Sequence, residues 1–293
     1  MKPLHIFLLM LLMLCSLILL QCRSEEPQFK TISYRTYDYK YVFFGMPGNY
    51  GLYLQPGDEM FPPVPGLQEY YAEVASPRDS SVRARFALGL RCPSGEGALL
   101  TWISKQVYEG LPAFWGDAEN RECPAPVTLE DIASFYCESF ERSHQSGLAE
   151  AEQEPDLYTG AAAGLLITDC WEGRGLCTFY KAEWNEWIWS KEYYYTLDTK
   201  TGRVLTLDDF VDAADRGRLG RLAILHLEDG NGKRYGLPDI YEDRKEVLSL
   251  CDCCALIDEG LILTFPRGTF ASNADGQFRS VIPYAELKGI LKR

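Results

Sequence analysis

The chain has 293 residues and a formal net charge of −13, from 29 basic and 42 acidic side chains. A surface that acidic repels nucleic acid and anionic phospholipid, so neither is expected as a ligand. With 46% hydrophobic residues the chain is not a disordered one, and its length allows one large domain or two of ordinary size.

The first segment reads as an export leader. Lys2 supplies a short basic start, and Ile6 to Leu20 is apolar except for Ser16. That stretch is short for a membrane span, which needs roughly 20 apolar residues, and matches a signal-peptide core. It ends in Leu19-Leu20-Gln21-Cys22, which suits lipoprotein processing, with lipid on Cys22 and cleavage after residue 21. The expectation is a chain held at the bacterial envelope, at the outer membrane or cell surface and outside the cytoplasm. Loss of Lys2 with the leader leaves a charge of −14. Residues 22–30 read as a linker.

An N-terminal α+β subdomain is predicted over 31–148. Tyr37, Tyr39, Tyr41 and Phe43 alternate with Asp38, Lys40 and Val42, so 31–44 reads as a strand. Residues 45–66, rich in proline and glycine, read as a loop. Strands follow at Gln68–Ala75 and through Val82, Ala84, Phe86, Leu88 and Leu90. Leu99, Leu100, Ile103 and Val107 recur at helical spacing. Thr128 with Asp131 begins a second helix as a capping box, and Leu129, Ile132, Phe135, Tyr136 and Phe140 form its buried stripe up to Gly147. The acidic stretch 149–156 is the predicted boundary.

The second domain, 157–293, opens with a strand over Ala161–Cys170, a turn at Glu172 to Gly175, and a strand from Leu176. With Gly173 and Arg174 central in that turn, Cys170 faces Cys177 at disulfide distance. Besides Cys22, eight cysteines remain after processing, and in an exported chain they read first as disulfides. The pairing of Cys92, Cys123, Cys137, Cys251, Cys253 and Cys254 stays open. Tyr193 to Leu197 is a strand, Asp198 to Gly202 a tight turn, Val204 to Leu207 a short strand, and Asp208-Asp209 a helix start. Leu219, Leu222 and His226 share a helical face. Ala255–Ile257 and Leu261–Phe265 form a hairpin, and Gln277–Ile282 leads through Pro283 into a closing helix. Strands and helices without regular alternation give the class α+β, with antiparallel sheets, packed helices and two subdomains.

No motif for a nucleophile, a phosphate loop or a metal site stands out, and neither catalytic residue, metal nor cofactor is expected. In Asp229-Gly230-Asn231-Gly232-Lys233, Lys233 stands where a calcium loop needs an oxygen ligand, and residue 240 is Ile and not Glu, so the segment reads as a turn. The candidate binding face is aromatic: Trp171, Trp184, Trp187, Trp189, Tyr193 and Tyr195. Exposed, such a row could stack on sugar rings or anchor a protein; buried, it is a sheet face on the core.

Two blocks resemble a known family. The first runs from Tyr195 to Phe210 (Tyr-Thr-Leu-Asp-Thr-Lys-Thr-Gly-Arg-Val-Leu-Thr-Leu-Asp-Asp-Phe). The second is Glu259 to Phe265, then Ala271, Gly276 and Val281-Ile282-Pro283-Tyr284-Ala285-Glu286-Leu287. They are similar to a strand, Thr-Gly turn and helix start, and to a closing hairpin and Ile-Pro-Tyr entry, in the domain of unknown function family 3298. This is the RsiV-like C-terminal domain, also found in the peptidoglycan deacetylase PdaC. The segments Trp187 to Glu192 and Pro266 to Phe270 depart from the family pattern. The resemblance implies a non-catalytic, envelope-facing module that binds a cationic, lysozyme-like protein or a glycan. The alternative is a carboxylate-dependent enzyme acting on cell wall or another glycan.

Overall fold

The computed structural model describes residues 66–75, 83–93, 97–110, 123, 125–151, 161–185, 191–230, 232–241, 246–272 and 276–292. The leader, Cys22 and the strand predicted over 31–44 lie outside these residues, as do Trp187 and Trp189. The fold is α+β, with two sheets and four α-helices among the described residues. The strands are β1 (Gln68–Ala75), β2 (Arg83–Leu90), β3 (Ala161–Gly173), β4 (Leu176–Asn185), β5 (Lys191–Asp198), β6 (Leu227–Glu228), β7 (Cys253–Ile257), β8 (Gly260–Phe265) and β9 (Phe278–Pro283). The helices are α1 (Gly97–Gly110), α2 (Leu129–Ala151), α3 (Leu207–Phe210) and α4 (Arg216–Leu225).

Sheet 1 has the order β1-β2-β3-β4-β5 and is antiparallel except where β2 runs parallel to β3. That parallel pair needs a crossover, and α1 and α2 supply it. Sheet 2, order β6-β9-β8-β7, is antiparallel throughout. The elements stack as helices, sheet 1, sheet 2 and helices. Phe86, Leu88, Leu90, Leu165, Ile167, Phe179 and Leu197 face Leu99 and Ile103 of α1 and Ile132, Tyr136 and Phe140 of α2. The opposite face of sheet 1, through Ala87, Leu166, Tyr180, Ala182 and Tyr194, packs on Ala255 and Ile262 of sheet 2. Beyond it, Leu261, Leu263, Phe265, Phe278 and Ile282 meet Leu219 and Ala223 of α4. Being covered on both faces explains why Leu165-Leu166-Ile167 is a continuous apolar run and not an alternating one.

Local chemistry sets the element ends. Asp131 Oδ2 accepts the N–H groups of Val127 and Thr128, and Thr128 Oγ1 accepts the N–H of Asp131, the predicted capping box. The helix does not stop at Gly147; it runs to Ala151, into the acidic stretch. Nor does 149–156 divide the two sheets. Sheet 1 joins β1 and β2 from before that stretch to β3, β4 and β5 from after it, because the β2–β3 pairing binds the halves together. Val204 makes a single bridge to Leu197, not a strand, and 284–290 is a run of turns with i→i+3 bonds, not a regular helix.

The predicted Cys170–Cys177 pair is not formed, and both residues are free thiols. Arg174 and Gly175, with φ of 55° and 75°, are the central residues of the turn, one position later than expected. Cys177 therefore faces Glu172, and the register shifts between Asp169 and Trp171, leaving Cys170 as the extra residue of a β-bulge. Cys170 packs between the sheets and Cys177 packs on the helix side, so the sheet separates them.

The two edge strands β5 and β7 meet at a seam. Gln277 accepts the N–H of Glu192 at 2.9 Å and donates to its carbonyl at 2.6 Å, occupying that edge as a neighbouring strand would. The N–H of Leu256 donates to Thr196 Oγ1 at 2.8 Å.

Candidate functional site

The predicted aromatic row is split by the fold. Trp171 is 4% exposed and lies beyond the bulge, opposite Thr178. Trp184 sits opposite Gly164 in β4. Tyr193 and Tyr195 project together from β5 toward the helices, stacked at 6.0 Å between centroids and 23° between planes. Their parity follows from the strand period: Tyr194, between them, points to sheet 2 and meets Tyr180 at 5.2 Å between centroids with the rings tilted by 54°.

The structure adds partners that the sequence pattern did not single out. Trp102 of α1 meets Tyr195 edge-on at 5.4 Å and Phe179 at 5.1 Å. It lies three residues after Leu99, so helical spacing could have placed it on this face. Lys181 Nζ lies 6.0 Å from the Tyr193 ring centroid, 2.5 Å from Glu183 Oε1 and 3.3 Å from Gln106 Oε1. Lys181 and Glu183, two apart on β4, share the face that carries Phe179. Gln106 in turn donates to Glu109 Oε2 at 2.9 Å, and Glu109 pairs with Lys105 at 3.5 Å.

Electrostatics keep both tyrosines neutral. Burial pushes the Tyr193 hydroxyl up to about 12, with Glu183 and Asp252 adding to the effect. Burial also raises Tyr195, reinforced by Cys253, Tyr193, Glu183 and Glu109. The result is a half-buried pair of neutral rings with carboxylates beside it and Lys181 near the Tyr193 ring. Such a surface can stack on a planar or cationic group and pair with its charge.

A second polar cluster lies at the seam. Burial raises the Glu192 carboxyl, while Arg279 and a hydrogen bond with Tyr180 oppose that shift. Arg279 is held by Glu228 at 2.8 Å. His226 contacts Glu286 at 3.1 Å at the end of α4, as a core-edge residue does. Among the described residues no group of three or more His, Cys, Asp or Glu side chains is placed to hold a metal ion. None of their helices is long and apolar enough to cross a membrane.

The arrangement defines a two-sheet α+β protein with an aromatic and carboxylate cluster on the helix side of sheet 1. No protein-family model matches the chain, and no curated protein matches it. Among solved structures it is similar to a DUF3298 family member from Bacteroides fragilis, at 15% identity and a TM-score of 0.48, over 78% of this chain and 94% of that one. It is also similar to a DUF3298 family protein from Pseudomonas aeruginosa PAO1, at 14% identity and a TM-score of 0.44, over 77% and 94%. Both are structures of the family that the two sequence blocks resemble.

Proposed function

We propose that the chain is an exported lipoprotein, anchored through lipid on Cys22, whose folded part binds a cationic envelope protein without catalysis. The observation that carries this reading is the Tyr193–Tyr195 stack beside Glu183 and Glu109. Neutral tyrosine faces attract lysine and guanidinium groups, and neighbouring carboxylates pair with them. The charge of −14 after processing adds long-range attraction for a basic partner. The family resemblance supplies the kind of partner, a lysozyme-like protein. A glycan is the second reading, because the same stacked rings also suit a sugar face.

The test is a titration of the chain lacking its leader against lysozyme and against peptidoglycan fragments, in low and physiological salt. Saturable lysozyme binding that persists at physiological salt and falls about tenfold in Tyr193→Ala supports the proposal, the loss of one buried aromatic anchor being worth roughly 1–2 kcal/mol. Binding to fragments alone selects the glycan. Lysozyme binding abolished by salt would reduce the interaction to a basic protein on an acidic surface.

A further inference from the structure

Beneath the tyrosines, Lys181 of β4 is 3% exposed and Gln106 of α1 is 8% exposed. The amide of Gln106 is approached from both ends. Lys181 Nζ lies 3.3 Å from its carbonyl oxygen, and its nitrogen donates to Glu109 Oε2 at 2.9 Å. Glu183 Oε1 is 2.5 Å from the same Nζ, and its side chain is held beside Gly110, where an added Cβ would come within 3.4 Å of Oε1. An amine, a base in contact with it and an amide carbonyl within hydrogen-bond reach are parts that aminolysis of an amide uses.

We propose that Lys181 and Gln106 become joined by an intramolecular amide bond that welds α1 to β4. Glu183 takes a proton from the Lys181 ammonium, and the freed lone pair attacks Cδ of Gln106. The Cδ–Nε2 bond breaks as the new Cδ–Nζ bond forms. Glu183 passes the amine's two protons in turn to solvent, and Nε2 takes two from solvent by way of Glu109, whose side chain is 47% exposed. Lysine ammonium and glutamine amide thus give a secondary amide and ammonium. Both carboxylates end as they began, and no oxidant or reductant is needed. Proximity lowers the barrier, since the reacting groups are held together by fold and not by collision.

The joined residues are 75 apart in sequence, so the link would act as a long-range staple that restricts the unfolded chain. Such a staple suits a chain in which Cys170 and Cys177 are not bonded to each other. Because the reaction involves no ligand, its failure would leave the binding proposal untouched, and the reverse holds as well.

The experiment is tandem mass spectrometry on a digest of the purified full chain. The expected result is one branched peptide containing Gln106 and Lys181, lighter by one ammonia than the two fragments together. Lys181→Arg, which keeps the charge beside Glu183, should give separate fragments at full mass. Glu183→Gln should give mostly separate fragments, at least tenfold less linked than the parent. Two unlinked fragments from the parent chain would overturn the proposal. So would a linked species that persists in Lys181→Arg, and full linkage in Glu183→Gln would overturn the role of Glu183 as base.

Discussion

Gly202 closes the turn after β5 with φ of 67°, and a Cβ there would lie 2.8 Å from the backbone oxygen of Ala98 at the start of α1. The glycine is needed twice, for its left-handed backbone and for the close approach of the helix. Gly202→Ala is expected to cost about 2 kcal/mol or more, read from urea unfolding. The same turn is tied by Asp198 Oδ1, which accepts the N–H groups of Lys200 and Thr201. A few residues on, Asp209 accepts the N–H of Thr206 and is forked by Arg203 at 3.0 and 3.1 Å. Arg203, first among the causes, and then Thr206 hold the Asp209 carboxyl down at about 2. A depressed carboxylate contributes stability that is present above its unfolded pKa of about 3.9 and is lost as pH falls through the folded value. Between about pH 4 and pH 2, Asp209→Asn should therefore lose less stability than the parent, and equal loss in both would contradict that role. The Asp-Thr-Lys-Thr-Gly and Asp-Asp-Phe residues were legible as a turn and a helix start because their chemistry is local.

The turn between β3 and β4 belongs to the scale of the element. A two-residue type I′ loop needs positive φ at both central positions, and Arg174 adopts it at 55° beside Gly175. Arg174→Asn should raise stability by about 0.5–1 kcal/mol, seen as a higher melting temperature. An unchanged or lower value would contradict the turn assignment. The sequence places this turn but not its register, since Glu172-Gly173-Arg174-Gly175 offers two ways to centre it. The one-residue difference, with the bulge at Cys170, decides which cysteine faces what. Strand period alone put Tyr193 and Tyr195 on one face, and that is where they lie. Trp171 shares their parity by number and loses it through the bulge. A bulge leaves no mark in apolar spacing, which is why a continuous aromatic row looked possible.

For the whole molecule, layering is the main organising feature. Leu165→Ala in β3, fully buried under α1 and α2, should cost about 2–5 kcal/mol and lower the denaturation midpoint of the whole transition. Sheet 1 crosses the acidic stretch 149–156, and no composition shift could show this, because β2 pairing with β3 is a contact between distant residues. The mixed class was legible from irregular alternation of elements; the stacking of two sheets face to face was not. That packing also sends Tyr193 and Tyr195 to the helix side, where α1 brings Trp102 and Glu109 to Tyr195.

The central claim is that this cluster recognises a cationic protein, and the most direct measurement is a calorimetric titration with lysozyme at physiological salt, comparing the parent with Tyr193→Ala. The account predicts saturable binding to the parent and about tenfold weaker binding to the variant, with both chains melting cooperatively. Equal affinity for parent and variant, or no binding to either, would contradict it.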